Sequence, residues 1–169
     1  MTSDRTEKLG KVNFWNELLA LRDRQREQQK TAVQVVRRGE LPLESNSQGL
    51  MRWYLHPSIT DTVLSSLTIF EQEIPPGGRS GRLGFQGGQV IFIIEGNGYT
   101  LIDGVKHQWK SRDVLNLPLK KDGIVVQHFN SSPDKAARFL AVEPNLFAAL
   151  GVDRGSGFEQ MEPAPDFKP

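Results

Sequence analysis

Few side chains in this 169-residue sequence could move a proton near neutrality. His56, His107 and His128 are its only imidazoles, and it has no cysteine. The missing thiols remove disulfides, thiolate metal ligands and a cysteine nucleophile, and they suit a reducing compartment. His128, within VVQHFN, is the leading candidate for a general acid or base, because imidazole alone titrates near pH 7 without help. His56, in WYLHP, could stand beside it, whereas His107 follows Lys106 in an exposed hairpin strand. For each histidine the competing reading is a satisfied core or loop residue. Arg79 and Arg82 flank a tight turn, and Arg79 could clamp a carboxylate with its two-pronged guanidinium; a solvated loop arginine is the alternative. The glycine runs lack the following helix that a phosphate loop needs, and no serine, histidine and acid stand in hydrolase context.

The elements that must carry these residues divide the chain. Asn13 is a helix cap followed by Phe14, Leu18 and Leu21 at four- and three-residue steps, with Trp15 and Leu19 beside them, which predicts a helix to about Lys30. Its second half, RDRQREQQK, is polar all round, so the apolar stripe would pack on a flank or on another subunit. GELPLESNSQG reads as a surface connector. From Met51 onward β-branched and aromatic runs, among them QVIFIIE, YTLIDG, DVLNLP, GIVVQHF and ARFLAVE, are cut by PPGG, EGNG, IDG and SSPD. Gly96-Asn97-Gly98 and Asp103-Gly104 are read as hairpin turns. Many short strands without alternating helices indicate an antiparallel sandwich or barrel. NLFAALG adds a turn of helix, and the proline-rich end is extended. The expected organisation is an arm over residues 1–50, a β-domain over 51–150 and a tail over 151–169.

Charge and composition exclude some partners. The 21 basic and 20 acidic residues leave a net charge of +1, which offers nothing to nucleic acid or an anionic membrane. No apolar run approaches a membrane span, and MTSDRTEKLGK lacks the apolar segment of a signal peptide, so the expected location is cytoplasmic.

The segment Gly81–Gly98, GRLGFQGGQVIFIIEGNG, resembles the first motif of the cupin family, G(x5)HxH(x3)E(x6)G. Counting back from Gly96 places the family's glutamate at Gln89, its two histidines at Phe85 and Leu83, and its leading glycine at Gly77. In the second motif, anchored on Asn130 of QHFN, the third histidine falls at Val126; a different anchoring makes His128 the motif's histidine but loses the asparagine. QGLMRWYLHP, EIPPGGRSGR, GGQVIFIIEGNGYT and QHFNSSPDKAARFLAV are similar to segments of bacterial cupins related to gentisate-type aromatic-ring dioxygenases. The resemblance covers roughly residues 50–143 and implies an all-β fold, a single jelly-roll cupin barrel with an N-terminal helical arm. It also implies that the metal centre is lost, since Leu83, Phe85 and Val126 have no donor atom and Gln89 has only an amide. No cofactor is expected.

Strand alternation turns these positions inward. Leu83 and Phe85 share one face; Gln89, Ile91 and Ile93 share another; Ile124, Val126 and His128 share a third. The expected ligand-binding set is Arg79, Leu83, Phe85, Gln89, Val126, His128, Asn130 and His56, with Asn116 a further candidate, and His128 is the catalytic residue if there is one. The competing expectation is that Leu83, Phe85 and Val126 simply fill the interior. Three functional readings follow: a metal-independent binder of a small organic molecule, such as an aromatic or carboxylic acid; a noncatalytic subunit paired with a paralogous cupin or another catabolic enzyme; and an enzyme, either a dioxygenase with a displaced metal or a metal-free isomerase, cyclase or lyase using His128. Outward Val90, Phe92 and Ile94 suit a homodimer.

Overall fold

The computed structural model describes residues 3–150 and 157–168, the side chains of 148 and 150 excepted, and it divides into two compact units. Met1–Val35 with Asp61–Val63 form one unit, and Val36–Thr60 with Leu64–Pro169 the other.

The first unit is helical for local reasons. Helix α1 (Asp4–Gly10) starts where the Ser3 hydroxyl accepts the Thr6 amide, and Lys8–Asp4 and Lys11–Glu7 pairs brace its surface one turn apart. Helix α2 (Phe14–Thr31) starts at Asn13 as its cap residue requires, with the side-chain oxygen accepting the Asn16 amide. Phe14, Trp15, Leu18 and Leu21 are all exposed. Beyond the helix, Val33 pairs with Thr62 in an isolated parallel bridge.

The second unit consists of two antiparallel sheets, preceded by a 3-10 turn at Arg38–Glu40. The strands are β1 (Glu44–Asn46), β2 (Gly49–Leu55), β3 (Leu67–Ile74), β4 (Arg82–Phe85), β5 (Gln89–Glu95), β6 (Asn97–Ile102), β7 (Val105–Lys110), β8 (Val114–Leu117), β9 (Ile124–Asn130), β10 (Ala137–Pro144) and β11 (Phe158–Glu162). One sheet runs β1-β2-β3-β10-β5-β8 and the other β11-β4-β9-β6-β7. Ile74, Ile91, Ile93, Leu117, Ala137, Phe139 and Ala141 of the first share a single apolar core with Ile102, Trp109, Ile124 and Val126 of the second, so the two sheets face each other across it. Alternation in β5 shows why: Gln89, Ile91 and Ile93 are buried, while Val90 and Phe92 stay 45% and 43% exposed.

Three details differ from the sequence expectations. The sheets take in residues left to the arm and the tail: β1 and the first residues of β2, Gly49 and Leu50, lie before residue 51, and β11 pairs with β4 along the edge. A polar connector and a proline-rich end still have amides to satisfy, and an open sheet edge supplies the partners. Residues 151–156 of the expected tail lie outside the described residues. The short helix near NLFAALG is present as α3 (Phe147–Leu150). Asp103 and Gly104, with φ of 51° and 82°, make the predicted β6–β7 hairpin turn. Gly96-Asn97-Gly98 does not make one, because β5 and β6 lie in different sheets. Both glycines are there for close approach. A Cβ on Gly96, whose φ is 90°, would stand 2.7 Å from the Ala137 Cβ, and one on Gly98 would stand 2.0 Å from the Phe129 carbonyl oxygen.

On the outer face of the six-stranded sheet, Glu71 is only 2% exposed. Its carboxylate takes three hydrogen bonds from Arg38, with Arg52 and Arg138 also in ion-pair range. Arg38 belongs to the 3-10 turn, so this cluster fastens the connector to the sheet. Among the described residues no helix is long and apolar enough to cross a membrane.

Candidate functional site

The four positions that carry the cupin ligand pattern converge. On β4 and β9, Leu83 stands directly opposite Val126 and Phe85 opposite Ile124. Gln89 approaches from the facing sheet, and Leu83, Phe85, Gln89, Val126 and His128 together line one cavity of about 40 Å³. Its other walls are Met51, Phe70, Leu117 and Phe139, with Gln48 and Gln72 as further polar members. That volume accommodates about one or two waters. Pockets for organic ligands begin at about 300 Å³.

His128 is fixed from behind. The Trp109 indole N–H donates to the Thr100 hydroxyl oxygen at 3.0 Å, and that hydroxyl lies 2.8 Å from His128 Nδ1. Thr100 is fully buried, so its own proton is best placed on Nδ1 and the ring proton on Nε2. The His128 backbone amide donates to the Ser80 hydroxyl at 2.9 Å, and the ring packs tilted on Phe139 with centroids 4.8 Å apart. Burial pushes its pKa down to about 4, so the imidazole is neutral at physiological pH. A neutral ring whose Nδ1 is already occupied retains one N–H to offer.

Gln89 is committed too. Its amide donates to the Glu143 carboxylate at 2.8 Å. Burial holds that carboxyl above the ordinary range, against the pull of this hydrogen bond. Glu143 and the wall residues Gln48, Met51, Phe70, Gln72, Leu117 and Phe139 were missed by sequence reasoning. The strands from β2 to β10 alternate legibly, but which inward residues meet depends on register across non-consecutive strands.

The remaining candidates go elsewhere. Asn130 donates to the carbonyls of Ile74, Pro75 and Lys135 and accepts the Ser132 amide, which uses its whole amide in a turn. His56 accepts the Ser58 amide on Nδ1 and packs edge-on against Trp53, the work of a turn residue. Arg79 lines a second cavity, of about 80 Å³, with Glu73, Gln48 and the chain at Ala164, Asp166 and Phe167. Asn116 is exposed, as strand alternation requires beside buried Leu117, and His107 is exposed as well, although it lies on the same face of its strand as buried Trp109. Among the described residues no group of three or more histidine, aspartate or glutamate side chains could hold a metal ion, and a cupin-type ion would here meet two alkyl groups, a phenyl ring and an amide already bonded to Glu143. These residues do not fit a metal.

No protein-family profile matches the chain, and no curated protein does. Solved structures do. A cupin-like protein from Thermotoga maritima is 18% identical over 71% of this chain and 87% of its own, with a TM-score of 0.52. The polyketide cyclase RemF from Streptomyces resistomycificus is 18% identical over 66% of this chain and 79% of its own, with a TM-score of 0.53. A salicylate 1,2-dioxygenase from Pseudoaminobacter salicylatoxidans, solved with gentisate, is 13% identical over 71% of this chain and 31% of its own, with a TM-score of 0.53. The shared feature is the fold: two facing antiparallel sheets arranged as in cupins.

Proposed function

We propose that this protein is a metal-independent, noncatalytic cupin, its two sheets closed as a jelly roll, that works through its surface as a subunit. The observation that carries this reading is the filling of the would-be metal position by Leu83, Phe85 and Val126, which leaves about 40 Å³ beside a Gln89 already bound to Glu143. Divalent metals need imidazole or carboxylate donors, and an aromatic acid needs several times that volume.

The surface is suited to pairing. Phe92 stands opposite Val114 on the outer face, beside Val90, and all three are exposed. The α2 stripe, from Phe14 to Leu21, is exposed as well. Apolar groups in such number on a chain of this size support self-association through the sheet face, with a catabolic enzyme or a paralogous cupin as the further partner. The proposed compartment is the cytoplasm.

A second reading, binding of a small molecule in the cavity, is favoured by one observation: Gln72, Gln89 and His128 bring polar groups to apolar walls. The test is elemental analysis of protein purified without added metal or a histidine tag, repeated after incubation with iron, manganese, nickel and zinc, with native mass measured on the same sample. The expected result is a dimer with no stoichiometric metal. One metal per chain would overturn the reading, and a retained organic molecule would establish the second one.

A further inference from the structure

At one end of the interior two buried oxygens, on Thr68 and Asn145, have no hydrogen-bond partner among the described residues, and a carboxylate, Glu143, has one donor. Glu143 on β10 is directly opposite Thr68 on β3, so the two side chains share the inward face. The Thr68 hydroxyl is buried, in a residue 2% exposed, and has no hydrogen-bond partner among the described residues. Asn145 continues the same line two residues after Glu143, its amide nitrogen bonded to the Ser66 carbonyl. Its side-chain nitrogen donates to the Ser65 carbonyl at 2.8 Å, which fixes the orientation of the amide and leaves Oδ1 buried and unpartnered. Glu143 itself receives one hydrogen bond, from Gln89, and among the described residues no cationic side chain contributes to its environment.

A buried polar atom without a partner costs about 1–3 kcal/mol, and native proteins carry few. Here two oxygens without a partner and a carboxylate without a counter-charge among the described residues are gathered by adjacent strands. What they lack in common is a positively charged donor of several N–H bonds. We infer that Thr68, Glu143 and Asn145 form a binding site for the head group of a small primary ammonium ion, whose short alkyl tail enters the cavity beside Gln89, Phe70 and Leu117. A primary ammonium presents three N–H donors, matching one carboxylate oxygen, one hydroxyl and one amide oxygen. One carboxylate with two neutral oxygens is a poor set for a divalent metal, which takes six or more oxygen ligands or retains its waters. Phe70, already on the cavity wall, presents an aromatic ring compatible with a nearby cation. The site stands apart from the subunit role proposed above, and either can fail without the other.

Calorimetric titration of the full chain with ethylammonium chloride tests it, with sodium propionate, potassium chloride and calcium chloride as parallel probes. Saturable one-to-one binding of ethylammonium is expected, with none of propionate. Glu143→Gln, which preserves shape, should weaken binding about tenfold or more, the cost of losing a charged hydrogen-bond partner. Thr68→Val should also weaken it while raising the melting temperature of the unliganded protein, because it removes an orphan hydroxyl. The inference is overturned if ethylammonium does not bind, if Glu143→Gln binds as well as wild type, or if potassium or calcium saturates the site and ethylammonium cannot compete.

Discussion

His128 offers the sharpest quantitative test of the interior. Its folded pKa is about 4 because the ring is buried, against an ordinary value of 6.5. The unfolded chain therefore takes up a proton first as the pH falls below about 6.5, and the folded state follows only near 4. Stability from this residue is intact above 6.5, declines between 6.5 and 4, and is flat below. A shift of this size amounts to about 3 kcal/mol in full, of which about 2 kcal/mol is lost between pH 7 and pH 5. His128→Asn removes the titration but keeps an oxygen near Nδ1 for the Thr100 proton. It costs stability at every pH through lost packing on Phe139. Urea midpoints for both proteins at pH 7 and pH 5 isolate the effect, because Glu71, held below its normal range by its arginines despite burial, and Glu143, held above, cancel in the difference. The gap between wild type and variant should narrow by about 2 kcal/mol at pH 5. Parallel pH curves, or an imidazole NMR titration centred near the ordinary value, would refute the burial argument.

Other perturbations probe other parts of the unit. Combining Leu83→His, Phe85→His, Gln89→Glu and Val126→His should create a site for one zinc or manganese per chain, read by elemental analysis; a correctly folded variant that binds none would mean that the four positions do not share one centre. Glu71→Gln should cost about 2–3 kcal/mol in a urea melt, short of a fully buried pair because Arg38 is 43% exposed, and an unchanged midpoint would show that the arginines find water at no cost. Gly98→Ala sets its methyl against both the Phe129 carbonyl oxygen, at 2.0 Å, and the Trp109 ring, at 2.5 Å, so a loss of about 3 kcal/mol or insoluble expression is expected. Phe92→Lys on the exposed sheet face should shift a dimer to monomer in sedimentation, and an unchanged mass would move the interface elsewhere.

Period-two patterns were readable wherever a strand had one wet and one dry face. In β5 the alternation placed Gln89, Ile91 and Ile93 inside from the sequence alone, and β9 behaved likewise for Ile124, Val126 and His128. The convergence of Leu83, Phe85, Gln89 and Val126 came from spacing against a known motif. Glu143 did not announce itself, because a glutamate near a strand end ordinarily faces water and its Gln89 partner lies 54 residues away. Asn130 and His56 misled for a related reason: polar side chains at turns bond the nearby backbone first, and sequence shows the donor but not the turn. The Gly96–Gly98 hairpin failed because glycine permits both a tight turn and a close crossing, and only the positions of Ala137 and Phe129 distinguish them.

The edge strand β11 has a consequence for synthesis. Strand β4 pairs with β9 on one side and with β11 on the other, and β11 is the last of its partners to be synthesised. At about 5–20 residues per second the nascent domain spends seconds with the β4 edge open, and the strand carrying Leu83 and Phe85 then presents unpaired amides to any extended chain nearby. Phe158–Glu162 closes that edge, and the Pro163 that follows cannot extend the ladder. A chain cut short before residue 158 should thus be more prone to aggregate during translation than one carrying a core substitution of equal thermodynamic cost.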